Sequence, residues 1–365
     1  MKKQTQPDAA TVNPRHPVTA YEVARLAGVS QSAVSRAFTA GSSISPATRL
    51  KVQEASQQLN YRPSLIARSL SMRKSQTIGV IVPPMENAFF PELLEELSTA
   101  FNTLGYRVLL FTSGTAASSD PILEEVLHAR VDAVVTIGSS VSSRFADECQ
   151  RICLPLIFLN RKTDNKDIPS VTGANVRGAE TIASFLVAGK HSRYGFMAGL
   201  ETSSTSRDRE RAFTRKLSES GKSVVARENG NYTFEDSVLA SRALLSKRFR
   251  PDAVFCANDH MAIAMIQIAR EEFGLDVGKD ISIVGFDDSK LASWPSFSLT
   301  TYSQPATIMA RDAAELMDKQ LKNGGKIKAT EVVVTGELVV RTSARIPRFG
   351  VSWSGSRRTW AEKQA

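Results

Sequence analysis

Four polar side chains that could hydrogen-bond to DNA bases fall on one side of a predicted helix near the N-terminus: Gln31, Ser32, Ser35 and Arg36. A glutamine amide can bind adenine, and an arginine guanidinium can bind guanine, through two hydrogen bonds each. A helix that presents such side chains can enter the major groove of double-stranded DNA. A three-helix scaffold that binds no DNA would have the same apolar pattern, so these residues alone leave both interpretations open.

Three short helices must position this polar face. Thr19 is a predicted cap for the first helix, Ser30 for the second, and Ser45 followed by proline begins the third. Gly28 separates the first two helices because glycine tolerates the positive φ angle of a tight turn. This arrangement is typical of a helix-turn-helix unit, which we assign to residues 18–62. The side chains predicted to face its interior are Val23, Ala24, Leu26, Ala27, Ala33, Val34, Ala37, Leu50, Val52, Ala55 and Leu59.

The basic charge is concentrated at the two ends of the chain. Residues 1–76 contain 11 Lys/Arg and 3 Asp/Glu, a net charge of +8, whereas residues 77–340 carry −4 and residues 341–365 carry +5. A basic head on a mildly acidic body fits a polyanion-binding unit joined to a domain for a different ligand. Residues 1–17 are polar and contain prolines, so we expect disorder there, and we expect the basic tail at residues 347–365 to be a disordered extension as well.

A second group of side chains follows the predicted strands of the body, where they could bind a small polar molecule. Carboxylates and amides hydrogen-bond to sugar hydroxyls, guanidinium groups bind oxygen atoms, and aromatic faces pack on the C–H side of a sugar. Two of these residues have structural alternatives, since Asn258 could cap a helix and Asp287 could be a turn residue. The candidates are Phe90, Asn160, Arg161, Arg209, Asn258, Asp287 and Trp294.

Alternating strand and helix patterns must position these candidates. Short apolar runs such as 78–82 and 281–286 alternate with amphipathic stretches such as 207–219. This order predicts an α/β fold of parallel, doubly wound sheets, and two series of runs predict two lobes with a ligand between them, beyond the carboxyl ends of the strands. The effector-binding body would comprise residues 77–346, with lobe 1 at about 77–161 and 294–325 and lobe 2 at about 162–293 and 326–346.

Residues 18–36 of the head have the sequence VTAYEVARLAGVSQSAVSR. This segment closely resembles the head of the lactose/galactose repressor family (LacI/GalR). The resemblance continues through SPATRLKV at 45–52 and LNYRPSLIARSL at 59–70, and then along the body to about residue 346. The body accordingly resembles periplasmic sugar-binding proteins, whose fold this family shares.

This resemblance implies a ligand-responsive, sequence-specific transcriptional regulator, a repressor that binds double-stranded operator DNA as a homodimer. A small polar effector, a sugar or sugar acid, would lie between the lobes and change operator affinity. The segment 63–76 would contain a hinge helix in which Leu70 wedges between bases in the minor groove. The family's effector-binding positions are matched most directly by Arg209, Asn258 and Asp287. The resemblance completes the predicted DNA-contacting set with Thr19, Tyr21, Ser30, Ala67 and Leu70.

Two other classes of protein fit the sequence less well. The chain has no G-x-S-x-G, phosphate-binding glycine-rich loop or H-E-x-x-H motif, and its four histidines are scattered, which argues against an enzyme. A periplasmic binding protein would begin with a signal peptide, where this chain has a helical head. We therefore predict a cytoplasmic protein that is not an enzyme, with no cofactor, no metal and no membrane partner. Cys149, Cys153 and Cys256 are interpreted as reduced core thiols.

Overall fold

The computed structural model describes residues 18–39, 41–62, 75–113, 120–138, 143–163, 167–324 and 330–362. The chain divides into two compact units, residues 1–75 and 76–365. Among the described residues, no helix combines the length and apolar character that a membrane crossing requires.

The head contains three helices, α1 (Ala20–Ala27), α2 (Gln31–Ala37) and α3 (Pro46–Gln58). The three predicted caps are confirmed. Thr19 and Glu22 form a reciprocal capping box on α1, while Ser30 and Ser45 accept hydrogen bonds from backbone N–H groups of α2 and α3. Gly28 has a φ of 64°, the left-handed conformation predicted for the turn.

The core of the head is smaller than the sequence pattern predicted. Leu26 and Leu50 were predicted to be buried, but they are 50% and 56% exposed. Leu50 precedes the buried Val52 by two residues, about 200° around the helix, so the two side chains point to opposite sides. The buried apolar cluster consists of Val23, Ala24, Val34, Ala37, Val52 and Ala55.

Strands and helices alternate along the body. The strands are β1 (Thr77–Val82), β2 (Arg107–Thr112), β3 (Ala133–Ile137), β4 (Leu156–Leu159), β5 (Ser170–Gly173), β6 (Tyr194–Ala198), β7 (Val224–Asn229), β8 (Ala253–Cys256), β9 (Ser282–Asp287), β10 (Thr300–Ser303), β11 (Glu331–Val334), β12 (Leu338–Val339), β13 (Val351–Ser354) and β14 (Arg357–Trp360). The helices are α4 (Phe89–Thr103), α5 (Asp120–Ala129), α6 (Ser143–Arg151), α7 (Asn175–Ala188), α8 (Ser204–Glu219), α9 (Phe234–Leu245), α10 (Asp259–Glu271) and α11 (Ala306–Lys322), with a 3-10 turn at Lys290–Ser293.

Two sheets form the two lobes. Lobe 1 has the strand order β11-β5-β4-β3-β1-β2, and all of its neighbours are parallel. Lobe 2 has the order β13-β14-β12-β10-β9-β8-β6-β7. Strands β6 to β10 are parallel, and β12, β14 and β13 extend the sheet through antiparallel pairs. Helices cover both sheets, as the doubly wound pattern predicted.

Three strands correct the predicted lobe boundaries. Strand β5 pairs with β4 and therefore belongs to lobe 1, although residues 162–293 were predicted in lobe 2. Strand β10 pairs with β9 in lobe 2, whereas 294–325 was predicted in lobe 1, and β11 pairs with β5 in lobe 1. Helix α11 lies in lobe 1 as predicted, so the chain crosses between the lobes three times, after β5, β10 and β11.

The C-terminal segment is not the disordered extension that the sequence predicted. Strands β13 and β14 form a hairpin that extends the lobe 2 sheet beyond β12. Trp360 is buried, lies edge-to-face on Phe185 at 5.6 Å between ring centroids, and donates a hydrogen bond from Nε1 to the carbonyl of Phe349. The buried Trp360 therefore packs this segment against lobe 2, in addition to the pairing of β14 with β12.

Candidate DNA-reading face and effector site

The second helix of the head presents the predicted polar face to solvent. Gln31, Ser32, Ser35 and Arg36 are all exposed, and the intervening Ala33, Val34 and Ala37 are buried. The Arg36 guanidinium donates to the carbonyl of Ser32 at 3.4 Å, so its chain lies along the exposed side of the helix. Side chains placed in this way are free to meet base edges.

The other predicted DNA contacts of the head lie around the helix starts. Tyr21 is 66% exposed on α1. The hydroxyls of Thr19 and Ser30 are engaged in capping α1 and α2, which is consistent with a positioning role as well as with a phosphate contact. Ala67 and Leu70, with the predicted hinge helix, lie outside the described residues.

A buried ion pair lies at the carboxyl end of the lobe 2 sheet. Arg209 of α8 places a guanidinium nitrogen 3.8 Å from the carboxylate of Asp287, the last residue of β9. The same side chain donates to the Asn175 side chain at 2.8 Å and to the carbonyl of Ala257, and it stacks 3.6 Å from the ring centroid of Phe286. These contacts hold the guanidinium in one orientation.

Asp287 also joins the two lobes. Its carboxylate accepts a hydrogen bond of 3.4 Å from Asn87, on the β1–α4 loop of lobe 1, and one of 2.7 Å from Gln304, at a crossing segment. The carbonyl of Asp287 accepts from the Gln304 backbone at 2.9 Å. All three side chains are buried, and a change in the angle between the lobes that separates Asn87 from Asp287 would break the contact that joins them.

Burial dominates the electrostatics of this cluster. It raises the pKa of Asp287 to about 6, although the nearby Arg209 guanidinium favours the charged form. Burial and the Asp287 carboxylate together raise the pKa of Asp259 to about 7. Asp259 accepts hydrogen bonds from Thr301 at 2.6 Å and from the backbone of Ser289 at 2.8 Å. The site therefore contains two buried carboxylates beside one buried guanidinium.

Asn258 has the structural role that the sequence left open. Its Oδ1 accepts a hydrogen bond from the backbone N–H of Met261 at 3.0 Å and caps α10. Asn258 directly follows Ala257, whose carbonyl is bound by Arg209, so it also lies beside the ion pair.

A second polar corner lies next to this cluster. Asn160 follows β4 with a φ of 70°, and Arg161 after it lies 5.8 Å from the ring centroid of Tyr232 in lobe 2. The Tyr232 hydroxyl is 3.2 Å from that of Thr205, which is 2.7 Å from that of Ser203 at the start of α8. These side chains come from both lobes, as expected of a site between them.

Two glycines allow aromatic rings to approach the strand ends. A Cβ on Gly138, after β3, would lie 2.6 Å from the ring of Phe90, and one on Gly199, after β6, would lie 2.0 Å from the ring of Tyr232. Both rings therefore depend on the absence of a side chain opposite them. Trp294 is not part of this arrangement, since its side chain is 54% exposed on the segment between the 3-10 turn and β10.

Several side chains of the site were absent from the predicted set, among them Asn175, Gln304 and Tyr232. Gln304 follows β10 directly, so the rule of polar residues after strand ends could have found it. Tyr232 lies three residues beyond the end of β7 at Asn229, so the same rule does not reach it. Asn175 follows β5, a strand of only four residues with no distinctive sequence pattern. Among the described residues, no group of His, Cys, Asp and Glu could hold a metal ion.

Comparison with known proteins assigns both parts of the chain to one family. The family model described as "Bacterial regulatory proteins, lacI family" matches residues 19–64, and "Periplasmic binding protein-like domain" matches residues 183–344. The repressor CytR of Escherichia coli K12 is 30% identical over 94% of this chain and 99% of its own length. Catabolite control protein A of Priestia megaterium is 31% identical over 83% of this chain and 92% of its own length. The chain belongs to the lacI family.

A solved structure of this family has the same fold. The Lac repressor dimer bound to operator and the anti-inducer ONPF superimposes with a TM-score of 0.80 and 27% identity, covering 90% of this chain and 100% of that chain. The predicted family and α/β fold with a helical head are therefore confirmed. As a lacI family member, the chain is a sequence-specific, DNA-binding transcriptional regulator.

Proposed function

We propose that this lacI family regulator is a homodimeric repressor whose operator affinity is changed by a small polar effector bound between the lobes. The observation that carries the proposal is the buried Arg209–Asp287 pair, which is contacted from lobe 1 by Asn87 and lies at the carboxyl ends of the strands. Side chains placed there can bind a hydroxyl-bearing ligand and sense the angle between the lobes. The chain would bind its effector without transforming it.

The relatives support a small polar effector. They include the ribose operon repressor of Haemophilus influenzae, and solved structures of Lac repressor are bound to ONPF and to ONPG. Because these names differ in the molecule they point to, we propose the class of ligand, a sugar or sugar derivative, from the chemistry of the site. A regulator of operator DNA acts in the cytoplasm, where we place it.

The small number of base-reading side chains on α2 favours a homodimer. One head offers few base-reading side chains, and two heads on a near-palindromic operator would provide useful specificity. Strand β2 lies at the free edge of the lobe 1 sheet and exposes Leu109 and Leu110 by 39% and 44%. A second copy that covers this edge would remove apolar surface from water. Sedimentation should therefore show a dimer, and a monomer that binds operator tightly would contradict it.

Substitution of Arg36 tests the DNA-reading role. An operator is first selected from random double-stranded DNA with the full-length protein. Arg36→Ala should then weaken operator binding by about 1–3 kcal/mol per half-site, because a bidentate base contact is lost, while binding to unrelated DNA falls much less. The measurement is a gel shift with both DNAs at one fixed salt concentration.

Lys51→Ala is the matched control, since Lys51 is an exposed cation of the same head on α3. It removes the same charge away from the reading face and should leave the ratio of operator to non-operator affinity unchanged. Equal ratios for Arg36→Ala and wild type would contradict the assignment of α2 as the reading helix.

A further inference from the structure

The C-terminal hairpin of β13 and β14 contacts the end of β9, where the Asp287 carboxylate of the candidate site lies. We propose that this hairpin is a positioning element of the site: Arg357 of β14 holds the Asp288 carboxylate and thereby fixes the orientation of the neighbouring Asp287. The inference rests on the proposed effector site. It adds to that site a segment beyond residue 344, where the match to the periplasmic binding protein-like domain ends.

The backbone at the end of β9 has an unusual conformation. Asp287 and Asp288 are consecutive residues with φ angles of 136° and 56°. Aspartate tolerates a φ near 56° better than most residues do, but a φ of 136° lies outside that left-handed region. Such a conformation persists where surrounding contacts hold it. The orientation of Asp287 therefore depends on what holds the residue that follows it.

Two arginines hold the Asp288 side chain, which is 5% exposed. Arg341, two residues after β12, donates from Nη2 to Oδ1 at 2.7 Å, and Arg357 donates from Nη1 to Oδ2 at 3.1 Å. Arg341 also donates to the carbonyl of Leu299 at 2.7 Å, so its own position is restrained. Because each carboxylate oxygen is bound by a different arginine, loss of Arg357 would remove one of two restraints on this side chain.

The hairpin that carries Arg357 is itself fixed to lobe 2. Strand β14 pairs with β12, and Trp360, three residues after Arg357, is buried against Phe185. The Arg357 side chain is 60% exposed, so competition with water weakens its hydrogen bond to Asp288. We therefore expect a moderate restraint, made possible by the rigid attachment of the strand.

The end of β9 is also linked to the second buried carboxylate of the site. The backbone N–H of Asp288 donates to the hydroxyl of Thr301 at 3.3 Å, and that hydroxyl donates to Asp259 at 2.6 Å. The next backbone N–H, that of Ser289, donates to the other carboxylate oxygen of Asp259 at 2.8 Å. Movement of Asp288 would therefore loosen these contacts, and the two N–H groups can report it.

Hydrogen exchange of backbone amides measures the restraint in the full-length protein. Arg357→Gln should speed exchange of the segment 284–291 by about fivefold, because a partly exposed hydrogen bond between charged groups is lost. Arg357→Lys can keep one such bond and should retain most of the protection. Arg348→Gln removes an exposed arginine from the same terminal segment and should match wild type. Exchange in β6, within the same sheet, should be unchanged in all three variants, which separates local positioning from a general loss of stability.

Asp288→Asn tests whether Arg357 acts through this carboxylate. The substitution should speed exchange of the segment 284–291 by itself, and addition of Arg357→Gln should cause no further increase. Wild-type exchange in Arg357→Gln, an equal increase in β6, or an additive effect of the two substitutions would overturn the proposal. These measurements use neither effector nor operator, so a failure of the proposed function in its own tests would leave their outcome unaffected.

Discussion

At the scale of single residues, the candidate effector site depends on the buried positive charge of Arg209, which nearby polar groups compensate. Arg209 is surrounded by the Asp287 carboxylate, the Asn175 amide and the Ala257 carbonyl, so its charge, its Nε and its Nη1 have partners without any ligand. Removal of one member of a buried pair leaves the other uncompensated, at a cost of about 3–5 kcal/mol. Substitutions here should therefore conserve shape, as asparagine does for aspartate.

Asp259 should make stability depend on pH. Its pKa rises from 3.8 in the unfolded chain to about 7 in the folded one. The folded state thus binds more protons between these values, and the carboxylate's contribution to stability is lost as pH rises from about 4 to 7. Asp259→Asn has no group that titrates at this position and so avoids the loss. The free energy of unfolding of the variant minus that of wild type should therefore increase by about 1–3 kcal/mol from pH 5 to pH 8.

Urea unfolding at both pH values measures this difference. Asp276→Asn is the control, because Asp276 is an exposed carboxylate of the same lobe. It should show no such change. A difference between Asp259→Asn and wild type that stays constant with pH would argue that Asp259 is charged throughout this range.

At the scale of elements, the sequence predicted correctly the features that depend on residues close together in the chain. The caps Thr19, Ser30 and Ser45 act through neighbouring backbone groups, so helix starts could be predicted from residue types. The placement of β5 and β10 depends on pairing with distant strands, which four-residue runs do not encode. The candidate site shows the same division. Arg209 and Asp287 were predicted, whereas Tyr232 depends on a ring contact with Gly199, a residue distant in sequence.

The C-terminal hairpin should contribute measurably to the stability of lobe 2. Trp360→Ala removes a side chain that is 5% exposed, together with its ring contact to Phe185 and its hydrogen bond, and should lower the free energy of unfolding by about 3–5 kcal/mol. Trp353→Ala in the same hairpin is the matched control. Its side chain is 72% exposed, so the expected change is within about 0.5 kcal/mol. Comparable losses in the two variants would show that Trp360 does not anchor the hairpin.

At the scale of the whole sensor body, three crossings and a few polar contacts determine how the lobes meet. Asn87 binds Asp287, Glu92 accepts from the backbone of Lys290, and the backbone of Lys162 donates to Ser204. Each contact joins a lobe 1 residue to lobe 2, and the first lies within the candidate site. A ligand that alters the Asp287 network can thereby favour one angle between the lobes, to the extent that it binds that state better.

Thermodynamic linkage gives this mechanism a quantitative test. If effector binding changes operator affinity by some factor, operator must change effector affinity by the same factor, with typical couplings of about 5–150-fold. Once a screen of sugars, sugar acids and purines has identified an effector, calorimetry with and without operator should give that factor for wild type. Asp287→Asn should keep ligand-free operator affinity near normal but lose the coupling between effector and operator. The neutral amide removes the negative charge that pairs with Arg209 and accepts the hydrogen bond from Gln304. Asp147→Asn, an exposed substitution in lobe 1, should couple as wild type does. Equal effector affinity with and without operator in wild type, or full coupling in Asp287→Asn, would mean that the switch does not pass through this carboxylate.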